Sequence, residues 1–421
     1  MTESKKQTPL FGWHQAHGAN IVEFGDYLMP VWYASARNEH LAVVAQAGLF
    51  DTSHMATLRV FGKDAFDLLQ WCFTRDLDAC VGKDNAPLAD GRCVYGVFLD
   101  EGGNAIDDSL VYKIKDGEFM VEVNAGMGGP VARHLAEQVK GRDVRIVDLT
   151  DRVGKIDLQG PASVRTLAKV LRAPEAVFEK LPYFSAKGHF DPASSLAGQV
   201  QLLDGTPLLL SRSGYTGEVG FELFMERPRT VPVWERLMAA GAEFGLTACG
   251  LAARDSLRAG AVLPLSHQDI GHWTYLHHPW PFALPLAPAG AGFTKAFLGS
   301  AALERAADAP YTLTFVGRDL RKVDAHDAKV YLDGREIGTV LTCVTDMAIG
   351  RHEGRIYSIA SPDRPAGFVA KGLCCGFIKV AAQLAPGTPV TLKDGKRAIE
   401  VVIETDVRPA RTARKALKSF M

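Results

Sequence analysis

The chain has 421 residues, more than one hydrophobic core usually organises, so two or three domains are expected. Its 47 basic and 48 acidic residues nearly cancel, which excludes a chain-wide nucleic-acid footprint, and its 47% hydrophobic fraction is ordinary for a globular protein. The opening MTESKKQTPLFGW carries no long apolar core and no stretch able to span a bilayer, so a cytoplasmic protein with no membrane partner is expected.

In chain order, apolar residues at helical spacing predict helices over 38–47, 63–72, 130–140, 162–171 and 231–244, with strands between them. SLVYKIKDGEFMVEVN predicts two strands around Asp116–Gly117, and the same device recurs at Asp333–Gly334 and Asp394–Gly395. From about residue 310 strands dominate, and LAPAGAG followed by ADAP places a boundary near 287–310.

Seven irregularly spaced cysteines read as reduced thiols rather than a disulfide framework. No metal site is expected: Cys374 and Cys375 are adjacent, and His267, His272, His277 and His278 lack ligand spacing in a Pro- and Trp-rich loop. The Gly-Tyr-Thr-Gly turn lacks the Lys-Ser/Thr of a phosphate cradle.

Three patterns carry chemistry. LLLSRSGYTGEVGFE delivers a lone acid, Glu222, inside an apolar strand, where it either faces solvent or needs a partner. In GNAIDDSLVY, Asp107 and Asp108 enter a strand, so their side chains leave on opposite faces and only one can face a given pocket; an acid pair at a turn is the plainer alternative. In GLAARDSLR, Arg254 and Arg258 share a helix face, and a surface ion ladder with Asp255 is the plainer reading.

GYTGEVGFE, GLAARDSLRAG, GNAIDDSLVY, LFDTSHM and LQGPAS occur in the order found in the T protein of the glycine cleavage system, so the chain resembles the tetrahydrofolate-dependent aminomethyltransferases. The resemblance covers roughly residues 9–270 and continues loosely to about 403. It implies an α+β, multi-domain fold around a central folate-holding channel. Residues 1–300 would form two interleaved α/β domains, and residues 301–421 a mostly-β, barrel-like domain with an insertion near 351–371 and a basic tail.

The implied reaction moves a one-carbon unit from an aminomethyl group on a lipoylated carrier (H) protein to tetrahydrofolate, releasing ammonia. Asp108 is the implied catalytic carboxylate, orienting and stabilising developing cationic character, with Asp107 structural. Glu222 is implied to pair with the pterin's amide N–H and exocyclic amine, and Arg254 to line that pocket or hold Glu222. Met55, Tyr95, Asn124, Tyr183 and Tyr215 match the remaining wall, with Asn124 expected to find hydrogen-bond partners on the pterin.

The sequence departs from the family pattern at FGDY, at Trp32, over 266–293 and at the insertion, none of which includes Asp108, Glu222 or Arg254. The tail cations Arg408, Arg411, Arg414, Lys415 and Lys418 read as a solvated segment or an acidic partner's surface. Two other readings stay open: a folate-dependent demethylase of a small methylated compound, and a non-catalytic folate-binding iron–sulfur assembly factor. The last lacks its KGCYxGQE-like motif here.

Overall fold

The alternation expected of the strands is realised in two sheets whose inner faces meet. The structure, a computed structural model, describes residues 5–288 and 292–421; residues 289–291 of the expected boundary, like residues 1–4, lie outside the described residues. The first sheet has six strands in the order Ala186–Gly188, Leu209–Ser211, Gly220–Glu226, Val153–Gln159, Ala47–Asp51 and Leu246–Cys249. The second has five, in the order Arg92–Leu99, Ala105–Lys115, Glu118–Val123, Ala56–Phe61 and Arg145–Asp148. All of the second falls in sequence between two neighbouring strands of the first, so the chain leaves one sheet, completes the other and returns.

Period two decides which residues meet between the sheets. Phe221, Leu223 and Met225 pack outward with Ile156, Leu158 and Trp234 of one core, while Val111, Phe119 and Val121 pack outward into a second. The alternate residues Phe224, Cys93, Tyr112 and Met120 form a shared inner cluster. By the same parity Lys155, Asp157 and Glu222 of the first sheet, and Tyr95, Asp108, Glu122 and Asn124 of the second, belong to the inner layer.

The predicted helices are present as Ala36–Ala45, Ala65–Cys72, Gly128–Glu137, Ser163–Ala168 and Thr230–Gly241, the last continued by a 3-10 turn over Ala242–Phe244. Lys329–Leu332 and Arg335–Asp346 are joined through Asp333 and Gly334, whose φ angles of 49° and 78° suit a tight hairpin turn. The Asp394–Gly395 hairpin is wider than expected. Lys393 pairs with Ala398, and the Asp394 carboxylate accepts the N–H groups of Lys396 and Arg397, both at 2.7 Å, which stabilises a four-residue loop.

Six strands between Tyr311 and Ile403 close into a barrel in the C-terminal region. The segment near 351–371 begins as a hairpin, Ile349–His352 with Arg355–Ser358, and its Ile359 and Ala360 pack on Val43, Phe50 and Leu257. The seven cysteines are all buried and unpaired.

Two surface readings are corrected. Arg258 is fully buried: it pairs with Asp255 at 2.7 Å, with Asp269, and with Thr342 Oγ1 at 3.0 Å, because its helix is clamped between the Tyr27–Trp32 strand and the barrel. The tail is not uniformly solvated either. Arg408 is also fully buried, with Asp346 Oδ2 at 2.7 Å and Glu218 Oε1 at 3.4 Å, and it donates to the Thr216 carbonyl. Arg411 pairs with Asp406 at 2.9 Å, while Lys415 and Lys418 remain exposed.

Candidate active site

Asp108 lies on the inner face near the start of its strand. Its Oδ2 accepts from the Tyr95 hydroxyl at 2.8 Å and its Oδ1 from Asn124 Nδ2 at 2.7 Å. Burial, then the neighbouring Asp107 charge, pushes its carboxyl up to about 6, although Tyr95 and Asn124 pull the other way. The Tyr95 hydroxyl is itself held well above its ordinary range by burial and by Asp108, so it remains a donor.

Asp107 points away but is not segregated as expected. Both carboxylates reach one amide, because the strand ending at Val123 stops beside them and Asn124 lies across its end. Asp107 accepts the Asn124 backbone N–H at 2.8 Å and Nδ2 at 2.9 Å, Ser266 Oγ at 2.9 Å, and has His267 Nε2 at 3.4 Å. The departing segment 266–293 therefore supports the residue behind Asp108. The protein, not a ligand, supplies the partners of the Asn124 amide N–H groups.

Across the inner layer, Glu222 has the partner its sequence position demands. Its Oε1 accepts from Lys155 Nζ at 2.6 Å, and its Oε2 from Ser213 and, at a long 3.4 Å, from Tyr112. Asp157 stands directly opposite Glu222 in the strand register, a like-charge pairing that costs stability unless a cation intervenes. Two cations do: Lys155 Nζ lies 3.1 Å from Asp157 Oδ1, and Arg254 Nη1 lies 2.9 Å from Asp157 Oδ2. Burial works against the Lys155 charge, but Asp157, Glu122 and Glu222 outweigh it and raise its pKa. Asp157 is likewise held low against its own burial by Lys155 and Arg254.

Arg254 thus holds Asp157 rather than Glu222. Its guanidinium also lies over the Tyr215 ring, 4.6 Å from the centroid, with Nη2 4.0 Å from Met55 Sδ. Tyr215 is tethered through its hydroxyl to the Pro264 carbonyl. It sits in the turn where Gly214 packs on Gln159, a Cβ there falling 2.0 Å from Gln159 Oε1, and where Gly217 adopts a φ of 78°. Tyr183 lies near Glu222 and Cys93, with the tail's Arg414 5.4 Å from its ring centroid. Asp108, Tyr95 and Asn124 thus form one hydrogen-bonded group, and Tyr215, Arg254 and Met55 connect through Lys155 to Glu222 in a second.

Sequence reasoning missed Lys155, Asp157 and Glu122. Their signal was present: in VGKIDLQ a Lys and an Asp two apart share one face of an apolar strand, and in EFMVEVN Glu122 does the same. Glu122 Oε1 lies 3.1 Å from Lys155 Nζ, yet neither carboxyl oxygen receives a hydrogen bond. The ion contact does not offset burial, which pushes this carboxyl up to about 8.

A family model described as GCVT N-terminal domain matches residues 10–277. The chain belongs to the GCVT family. An aminomethyltransferase of Geobacillus sp. (strain WCH70) is 32% identical over 345 residues, covering 80% of this chain and 86% of that protein. One of Moorella thermoacetica is 38% identical over 266 residues, 63% of this chain and 66% of its own length. The crystal structure of glycine cleavage system aminomethyltransferase T from Bartonella henselae superposes with a TM-score of 0.75 at 23% identity, over 98% of this chain and 99% of that one, which shows a shared GCVT fold.

Proposed function

We propose that this GCVT-family chain is a tetrahydrofolate-dependent aminomethyltransferase of the glycine cleavage type, working in the cytoplasm with a lipoylated carrier protein. The observation that carries the reading is the Asp108–Tyr95–Asn124 group lying in the same inner layer as the Glu222 carboxylate. Among the described residues no helix is long and apolar enough to cross a membrane.

The residues suit a flat heterocycle bearing N–H donors. Tyr95, Tyr183 and Tyr215 are half-buried aromatic surfaces, Met55 adds a thioether, and Glu222 supplies a buried acceptor through its Oε1. Tetrahydrofolate, as acceptor substrate, would supply the nucleophilic nitrogens that take up the one-carbon unit. Asp108 is pre-set by two donors, so its charge needs no reorganisation when cationic character develops beside it. Asn124, its N–H groups spent on the aspartates, has its side-chain oxygen Oδ1 left for a ligand. Arg254 keeps Asp157 neutralised and backs the Tyr215 ring.

Ammonia release from an aminomethylated lipoyl carrier in the presence of tetrahydrofolate is the expected result. Its absence, with demethylation of a small methylated compound instead, would transfer the site to the demethylase reading.

Two outcomes follow from the site. A carboxyl raised to about 6 is neutral below that pH and anionic above it. If the anion acts, kcat/KM should fall as pH drops through about 6, and Asp108→Asn should abolish that limb. A limb that persists in the variant belongs to another group. Glu222→Gln should weaken folate binding by roughly 1.5–3 kcal/mol, the scale of hydrogen bonds to a charged group. Unchanged affinity by calorimetry would confine Glu222 to its ion pair with Lys155.

A further inference from the structure

We infer that Lys155 and Glu222 act as one unit that reads a lactam edge, an N–H beside a carbonyl, and that Lys155 therefore determines which heterocycles the pocket accepts. The inference rests on the proposed folate reading and deepens it, since a pterin in its oxo form presents such an edge.

The bonding inventory of the pair carries the argument. A carboxylate has about four lone-pair positions. Three on Glu222 are taken, by Lys155, by Ser213 and by the long contact from Tyr112. The free position is on Oε1, the oxygen that Lys155 touches at 2.6 Å. An ammonium has three protons. Two of those of Lys155 are hydrogen-bonded, to Glu222 Oε1 and, weakly at 3.8 Å, to Met55 Sδ, while Asp157 and Glu122 are ion contacts at 3.1 Å outside hydrogen-bond geometry. The unit thus offers one acceptor and one donor side by side.

The groups around it keep that donor available. Asp157 is shared with Arg254 and with Thr52 at 2.9 Å, so it does not claim Lys155 alone. Glu122 lies 3.1 Å from the ammonium but neither of its oxygens accepts a hydrogen bond, so it competes weakly for the protons. Lys155 is also steered by the Phe224 ring, 5.6 Å from Nζ to the centroid. A ring carrying an amine in place of the carbonyl would set donor against donor at Lys155 and present a lone pair to Glu222. Sites built to bond a polar group reject analogues lacking it strongly, because their own buried groups are left unpaired.

The test is calorimetric binding of folic acid and its 4-amino-4-deoxy analogue to the full chain and to Lys155→Met. The wild type should prefer the oxo compound by about tenfold or more. Lys155→Met should lose most of that preference through weaker oxo binding, and Lys155→Arg should retain part of it. Equal binding of the two compounds by the wild type, or full preference retained in a folded Lys155→Met, overturns the inference and leaves the folate reading standing. If neither compound binds the wild type, both fall. Should Lys155→Met fail to fold, Lys155→Arg decides, and a preference there equal to that of the wild type overturns the inference.

Discussion

Asp108→Asn is expected to lower turnover about a hundredfold or more while leaving folate affinity within a few fold, the scale of removing a preorganised charge from a dry site. Asparagine keeps the shape and can still accept one hydrogen bond, so the Tyr95 and Asn124 donors that hold Asp108 at 2.8 and 2.7 Å are not both stranded. What disappears is the negative charge opposite the developing cation. Because that charge acts in the transition state and not in ground-state binding, kcat and kcat/KM should fall together.

Stability should move the other way. Burial and Asp107 raise the Asp108 carboxyl to about 6, so above that pH its ionised form opposes folding, and a neutral replacement removes the opposition. A variant that melts no lower than wild type at pH 7.5 yet turns over far more slowly would separate chemistry from structure. Equal turnover would remove Asp108 from the mechanism.

The parts of this site legible in the sequence were those where strand parity was enough. Alternation along Ala105–Lys115 allots Asp108 and Asp107 to different faces, and the apolar run around Glu222 announces a buried acid in need of a partner. The partner was harder to read. Lys155 and Asp157 come from a strand far away in sequence, and only the register that sets Asp157 opposite Glu222 turns two scattered charges into an ion cluster. Arg258 failed for a related reason, since spacing on a helix does not say that a barrel will cover its outer face. His267 and Ser266 belong to a segment whose sequence departs from the family pattern, and their contacts with Asp107 depend on loop placement that no periodicity encodes.

Arg408→Ala is expected to destabilise the fold by about 3–5 kcal/mol, the range for breaking a buried ion pair by removing one partner. One guanidinium ties the tail to two other parts of the molecule: Asp346 at the end of a barrel strand, and the Gly-rich turn around Tyr215 through Glu218 and the Thr216 carbonyl. Its removal leaves Asp346 with His40 at 2.9 Å, but leaves the Glu218 side chain with only the Thr412 hydroxyl at 2.6 Å. Burial already raises the Glu218 carboxyl against the pull of Arg408, so without the cation it should protonate. Glu218→Gln in the same chain should therefore recover part of the loss, whereas Asp346→Asn should not, because Asp346 also holds His40. Since Glu218 and Thr216 anchor the turn that carries Tyr215, the variant should also bind folate more weakly. Denaturant unfolding is the measurement, and a midpoint unchanged from wild type would return Arg408 to the solvated tail its basic neighbours suggest.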